Sequence, residues 1–303
     1  MRQVIPLLLA LVVTPAGAIH FTQGGGPRDC RYARASSPGT EGVQQALLPE
    51  DDLFRPLLAD LKEPRFYGYA RRVRFRTDPV PSGGREVITA GVVGLGTTMG
   101  LWSRRRIGTC DGVQVGLQAG VFSQFNLSSP QKDLINSDFV VGIPLTLRQG
   151  GYSARLRLFH QSSHLGDEFL LNNPEVGRQD LSFEAVDALG SVAGAHWRAY
   201  AGGGYRFRTE LDIDPASLQW GFEWRGEPLA GNLVPVFGAD FQSFQEQEWA
   251  VTTSLAAGPE LAIPGSNRRL RVLAVYLRGF LPFGQFFTST RIENFGIGFQ
   301  YDL

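Results

Sequence analysis

The last nine residues of the chain alternate strictly between apolar and polar or small side chains. Phe295, Ile297, Phe299 and Tyr301 are apolar or aromatic, and glycine or polar residues separate them. Because successive side chains of a β-strand point to opposite faces, this period of two predicts a strand with one apolar aromatic face and one polar face. A chain with such a strand must place one face against an apolar surrounding and the other against a polar one.

The same alternation recurs along the chain from about residue 65. Residues 113–121, 139–147, 197–207 and 218–224 each carry apolar side chains at every second position. We count candidate strands that begin near Arg65, Val87, Val113, Phe139, Tyr152, Leu181, Ala195, Leu218, Leu233, Trp249, Leu270 and Ile292. Strands of about 10 residues in an even number are typical of bacterial outer-membrane barrels. We therefore predict an all-β fold, an antiparallel transmembrane β-barrel of about 12 strands over residues 65–303.

The amino terminus supports an exported protein. Arg2 provides a positive charge, residues 4–13 form a short apolar run, and residues 16–18 read Ala-Gly-Ala. This pattern is typical of a secretory signal peptide, and the apolar run is too short for a spanning helix. We expect cleavage after Ala18. Short links at residues 149–151 and 192–194 predict periplasmic turns, whereas longer links at 128–136 and 165–179 predict extracellular loops.

Composition limits the partners. The formal net charge of the 303 residues is +0 and the isoelectric point is about 6.9. A neutral chain of this kind does not indicate a nucleic-acid partner. Two cysteines, Cys30 and Cys110, predict one disulfide in an oxidising compartment, and two unpaired thiols are the alternative. The expected surroundings of the barrel are outer-membrane lipids and lipopolysaccharide.

Residues 19–64 differ from the strands that follow, and we expect them to form a periplasmic segment. Residues 51–62 carry leucines and a phenylalanine at helical spacing, with acidic side chains at the front. This pattern predicts a short amphipathic helix. The helix is expected to rest on the base of the barrel, and a plug inside the lumen is the alternative.

Residues 160–168, His-Gln-Ser-Ser-His-Leu-Gly-Asp-Glu, gather more potentially catalytic side chains than any other stretch. The preceding strand fixes their direction. Arg155 and Arg157 alternate with leucines, and an arginine facing lipid would cost about 2–4 kcal/mol near the bilayer midplane. The two arginines must therefore face the lumen. His160 and Ser162 then share the lipid-facing side, where the histidine is positioned to act as a general base for the serine hydroxyl.

The run at residues 160–168, together with residues 52–54 and 64–66, resembles a family of Gram-negative exported proteins known only as a domain of unknown function. This resemblance implies an envelope location and does not imply an activity. For the predicted barrel itself we expect the outer membrane of a Gram-negative bacterium and insertion by the β-barrel assembly machinery. The pair His160 and Ser162 also resembles the His-x-Ser pair of outer-membrane phospholipase A and the lipid A deacylases. In those families an asparagine or an acid about twelve positions after the serine orients the histidine. In this chain, the position twelve residues after Ser162 is Pro174, between Asn173 and Glu175.

Several alternatives remain open from the sequence. Asp167 and Glu168 are candidates for orienting His160, and the backbone N–H groups of residues 163–166 are candidates for binding an oxyanion. His160, His164, Asp167 and Glu168 together are a possible divalent metal site. No other cofactor is indicated. The same residues also fit a purely structural loop.

Two classes of function follow. The first is a structural, pore-like or binding barrel with a charged lumen. Its predicted lumen residues are Arg155, Arg157, Arg198, Arg206, Arg208, Glu223 and Arg225. The second is a lipid-facing acyl hydrolase with Ser162 as nucleophile and His160 as base, acting on phospholipid or lipid A in the outer leaflet.

Overall fold

A computed structural model describes residues 42–77, 86–107, 109–174, 176–229, 231–262 and 268–302. These residues form thirteen strands, one short α-helix and two 3-10 helices, Gln245–Gln247 and Gly284–Thr288. The strands are β1 (Val43–Leu47), β2 (Phe66–Phe75), β3 (Val87–Arg106), β4 (Gly112–Asn126), β5 (Leu134–Gln149), β6 (Tyr152–Leu165), β7 (Leu181–Ala193), β8 (Trp197–Thr209), β9 (Ala216–Arg225), β10 (Leu233–Phe244), β11 (Val251–Ala262), β12 (Arg269–Phe280) and β13 (Arg291–Asp302). The helix, α1, spans Asp167–Asn172. Among the described residues, no helix is long and apolar enough to cross a membrane.

Strands β2–β13 close into an antiparallel barrel of twelve strands. The final strand completes the cylinder by pairing with β2, with Tyr301 opposite Phe66 and Ile292 opposite Phe75. The predicted fold is therefore confirmed. Predicted strand starts agree with the structure to within two residues except for β5, which begins at Leu134 rather than near Phe139. The polar run that opens β5 pairs with β4 without apolar alternation, so its pattern did not indicate a strand.

The two ends of the barrel differ. Short links such as residues 150–151 and 194–196 lie at one end, the turn end, together with the last residues of β13. Longer links, including residues 166–180 and 281–290, lie at the opposite end, the loop end. Cys110 is in the link between β3 and β4 at the turn end and is disulfide-bonded. Cys30 and the signal peptide at residues 1–18 lie outside the described residues, so both remain predictions.

The barrel exposes apolar side chains and buries polar ones. On β13, Phe295, Ile297 and Phe299 are at least half exposed, whereas Asn294 and Gln300 are buried inside. This inverts the arrangement of a water-soluble protein. An exposed belt of this kind fits contact with hydrocarbon, and the polar interior fits the lumen of a membrane barrel.

The predicted helix at residues 51–62 is wrong, because this stretch has no helical turn. Pro56 lies in its middle and lacks the N–H group that an α-helix requires there. Wall side chains bind the backbone instead. Arg198 donates to the carbonyl oxygens of Arg55 and Pro56 at 2.8 and 3.2 Å, and Glu223 accepts from the N–H group of Leu58 at 2.7 Å. The backbone groups are thus satisfied without a helix.

Residues 49–64 form a plug in the lumen. The sequence instead predicts a segment that rests on the base of the barrel, with a plug as the alternative. Their apolar side chains are buried, with Leu53 and Leu57 at 2% and 0% exposure. Carbonyl oxygens along the plug accept from inward-facing side chains of widely separated strands, including Gln300 on β13 and Ser254 on β11. Because these contacts surround the segment, the plug occupies the cross-section of the barrel.

We predict that the full chain is non-conducting in a planar lipid bilayer, because the plug closes the cross-section of the lumen. Deletion of residues 50–62 should open the pore and give stepwise current. Heat-modifiable electrophoretic mobility serves as the control that each protein has folded. An open-pore conductance of the unaltered chain would contradict the plugged lumen.

A second prediction concerns Asp52 in the plug, whose carboxylate accepts from the side-chain amide of Gln114 at 2.9 Å. Burial, and then the charge of Glu63, raises the pKa of Asp52 to about 7. An unfolded aspartate has a pKa near 3.9, so stability is lost as the pH rises from about 4 through about 7. Asp52→Asn should therefore raise the urea midpoint at pH 8.5 and leave it nearly unchanged at pH 4. The same shift at both pH values would contradict this assignment.

Candidate functional site

The candidate site lies on β6, and its register agrees with the sequence argument. Leu156 and Leu158 are exposed on the outer face, and Arg155 and Arg157 point inward. Arg155 donates to the carboxylate of Glu63 in the plug at 2.7 Å. Arg157 forms an ion pair with Asp187 on β7. Both inward arginines therefore have acidic partners, which is what a charge buried in the lumen requires.

His160 and Ser162 follow on the outer face of the same strand. On one side they lie opposite Val141 and Phe139 of β5, which are 48% and 44% exposed. On the other side, β7 places Glu184 opposite His160 and a second serine opposite Ser162. The pair thus lies on the outside of the barrel, between apolar side chains of β5 and polar side chains of β7.

Glu184 contacts the histidine directly. Its carboxylate oxygen Oε1 lies 3.2 Å from Nδ1 of His160, and the two side chains are 33% and 41% exposed. A carboxylate on Nδ1 favours the tautomer with the proton on that nitrogen and leaves Nε2 available as a base. Ser162 lies two residues along the same face, about 6–7 Å away at the backbone. The Ser162 hydroxyl has no hydrogen-bond partner among the described residues.

Arg208 extends this outer polar row to β8. Its Nε lies 3.8 Å from the Glu184 carboxylate, and the side chain is largely exposed. The prediction that Arg208 faces the lumen is therefore wrong. A β-bulge pairs Glu184 with Arg208 and the next residue, Ala185, with Arg206, so that Phe207 is the extra residue. An extra residue changes the face of everything beyond it. The other predicted lumen side chains, including Arg206, Glu223 and Arg225, do point inward.

The predicted orienting residues lie elsewhere. Asp167 begins α1 at the loop end and pairs with Arg178 at 2.9 Å, and Glu168 is exposed beside it. Asn173 donates from its amide to the carbonyl oxygen of Phe169 at 2.7 Å. Pro174 follows in the loop, and Glu175 lies outside the described residues. Among the candidates that the structure describes, none has a hydrogen bond to His160.

The predicted metal ligands are also separated. His160 contacts Glu184, whereas the ring of His164 packs against Phe139 with centroids 5.8 Å apart. Asp167 is held by Arg178, as described above. In the described part of the chain, no three histidine, cysteine or acidic side chains gather as a metal site would require.

The backbone suggested as an oxyanion site is largely occupied. Residues 163–165 remain in β6, with Ser163 paired to strands on both sides. The N–H group of Gly166 donates to the carbonyl oxygen of Ile135 at 3.0 Å. A Cβ at Gly166 would lie 1.9 Å from the carbonyl oxygen of Leu134, so only glycine fits this close approach. These N–H groups are therefore structural.

Sequence reasoning missed Glu184. It is 22 positions after Ser162, and only the pairing of β6 with β7 places it opposite His160. The 15-residue link between these strands hides that register, because a long loop does not fix the pairing as a two-residue turn does. The one available signal was an acidic residue on an otherwise uncharged outward face of β7.

Comparison with solved structures relates this barrel to outer membrane phospholipase A. The enzyme from Escherichia coli aligns with a TM-score of 0.53 at 13% identity, covering 84% of this chain and 95% of that one. The Salmonella typhi phospholipase dimer with bound calcium gives a TM-score of 0.53 at 12% identity, covering 79% and 91%. At this level of identity the similarity establishes the outer-membrane type of fold alone.

Comparison with curated proteins gives no match. A family model described as "Protein of unknown function (DUF1207)" matches residues 28–303, which is nearly all of the chain beyond the predicted signal peptide. The resemblance expected from the run at residues 160–168 is thereby confirmed. The chain belongs to the DUF1207 family.

Proposed function

We propose that this protein is an outer-membrane acyl hydrolase that acts on lipid from the outer face of its barrel. Ser162 is the nucleophile, His160 the general base and Glu184 the residue that orients the histidine. The observation that carries the proposal is the contact between His160 Nδ1 and Glu184 on the same outward face as Ser162. This is the order of groups in a serine hydrolase triad.

The position on the barrel supports this reading. Ser162 is three residues from the end of β6 at the loop end, a rise of about 10 Å along a strand. If the loop end faces the exterior, as in the predicted topology, the site lies near the headgroups of the outer leaflet. Charged side chains cost about 2–4 kcal/mol at the bilayer midplane but only about 0–1 kcal/mol near the interface. A histidine–carboxylate pair is tolerable at that depth.

The chemistry follows from the three groups. Nε2 of His160 removes the proton from the Ser162 hydroxyl as Oγ attacks the ester carbonyl of a lipid. The protonated imidazole, stabilised by the Glu184 carboxylate, then donates that proton to the departing alcohol oxygen. Water, activated by the same histidine, hydrolyses the acyl-serine and releases a fatty acid. Ser162 and His160 form no hydrogen bond in the described structure, and such bonds are often long without substrate.

The substrates proposed are the lipids that surround such a site, phospholipid and lipopolysaccharide. Exposed Phe139 and Val141 border the pair on β5 and provide an apolar surface for acyl chains. The same proposal places the protein in the outer membrane of a Gram-negative bacterium, inserted by the β-barrel assembly machinery. The exposed apolar belt and the similarity of the fold to outer membrane phospholipase A support this location.

We predict that Ser162→Ala reduces fatty-acid release from phospholipid or lipopolysaccharide vesicles by about 10³-fold or more, because no nucleophile remains. Ser163→Ala is the matched control, since that serine is the next residue and points into the lumen. His160→Ala should behave like Ser162→Ala, and His164→Ala should retain activity. Equal release by wild type and Ser162→Ala would exclude the mechanism.

A separate prediction concerns the orienting residue. Glu184→Ala should lower the rate by about 10²-fold, because the imidazole loses its partner at Nδ1. Glu184→Gln should retain more activity, since the amide oxygen still accepts a hydrogen bond. Asp167→Asn and Glu168→Gln are controls at the acidic positions of α1. If one of these controls abolishes release while Glu184→Ala does not, Glu184 is not the third residue.

A further inference from the structure

A cavity occupies the loop-end half of the lumen, above the plug. Its volume is about 140 Å³, and it is open to the exterior. The floor is formed by plug residues Asp60 and Lys62, and the upper wall is largely aromatic. The phenylalanines that line it are Phe159, Phe183, Phe244, Phe280 and Phe287. The cavity is on the inner face of the barrel, so it is separate from the outward row of His160 and Glu184.

Arg206 on β8 lines this cavity in an unusual environment for a cation. The side chain is 9% exposed and its guanidinium carbon lies 5.2, 5.0 and 5.1 Å from the ring centroids of Phe183, Phe244 and Phe287. One nitrogen, Nη1, donates to the carbonyl oxygen of Asp214 at 3.2 Å. Among the described residues, no carboxylate forms an ion pair with it. Three rings therefore hold a guanidinium whose other N–H groups have no hydrogen-bond partner among the described residues.

The other charges of the cavity are already satisfied. Arg157 is paired with Asp187, and Lys62 with Asp138. Asp60 accepts from the backbone N–H group of Lys62 at 2.8 Å and from glutamine amides on β9 and β10 at 3.1 and 3.2 Å.

Glu246 is the carboxylate that acts on Arg206 through space. It accepts from the N–H group of Asp214 at 2.8 Å and lies beyond ion-pair distance from the arginine. Among the described residues, Arg206 is thus the cation of this cavity that has no carboxylate within ion-pair distance.

A buried charge without a direct ion-pair partner is unfavourable, whereas a guanidinium with unpaired N–H groups matches a carboxylate in two-point geometry. Stacking on aromatic rings fixes the plane of Arg206 and leaves an apolar surface around it. We propose that this cavity binds an organic carboxylate with an apolar body, whose anionic group pairs with Arg206 and whose body packs against the phenylalanines. This inference is independent of the hydrolase, since it uses neither the outer face nor its residues.

The test uses the refolded full chain in detergent, with 2-naphthoate as the probe, followed by titration calorimetry against protein-free micelles. We expect saturable binding by wild type and at least tenfold weaker binding by Arg206→Gln. Arg208→Gln is the matched control, because that arginine is two residues away on the outer face, and it should bind like wild type. The neutral analogue 2-naphthalenemethanol should bind wild type at least tenfold more weakly, and inorganic phosphate should bind weakly because it lacks an apolar body.

Equal affinities of wild type and Arg206→Gln for 2-naphthoate would overturn the proposal, as would equal affinities of wild type for the acid and the alcohol. Binding of phosphate as tight as that of naphthoate would overturn the organic part of the assignment. If Arg206→Gln does not refold, Phe287→Leu replaces it, since it removes one ring from the guanidinium and should weaken naphthoate binding severalfold. Unchanged binding by that variant, with no discrimination between acid and alcohol, would also reject the site.

Discussion

Ionised side chains need counter-charges or water, and hydrocarbon supplies neither; this constraint organises the whole barrel. Arginines on alternating strand positions must turn inward, and turning inward requires partners in a narrow lumen. The plug supplies many of them. Glu63 pairs with Arg155, and carbonyl oxygens of residues 55 and 56 accept from Arg198. The plug backbone is in turn satisfied by the wall, so that neither component would have its polar groups paired without the other.

The outer row of His160, Glu184 and Arg208 departs from this rule, since its charges face away from the lumen. His160 and Glu184 face outward by the ordinary alternation of β6 and β7, and a bulge on β8 brings Arg208 to the same side. Bulges of this kind commonly redirect side chains at functional sites. Because these three side chains face outward, they do not pair with charged groups of the lumen. We therefore interpret them as a candidate reactive site. The inner face of β6 therefore contacts the lumen, and its outer face carries the proposed site.

Much of the fold could be predicted from the sequence because strand period and the cost of exposed arginine are local. The same arguments placed Ser162 and His160 outward correctly. Non-local features could not be predicted. The helical spacing of residues 51–62 reflects burial on all sides of an irregular plug, and wall side chains, not an α-helix, satisfy its backbone. The position of Glu184 beside His160 depends on strand pairing across a long loop. The outward direction of Arg208 depends on an extra residue in β8 opposite Glu184.

The assignment of faces on β6 can be measured directly by fluorescence quenching with brominated lipids. Single cysteines carrying a bimane label would replace Leu158, Phe159, Ser162 and Ser163 in turn, in the refolded chain reconstituted into vesicles. We expect strong quenching at positions 158 and 162 and little at 159 and 163, since these pairs lie on opposite faces. Strong quenching at 159 and 163, or equal quenching at all four positions, would contradict the account.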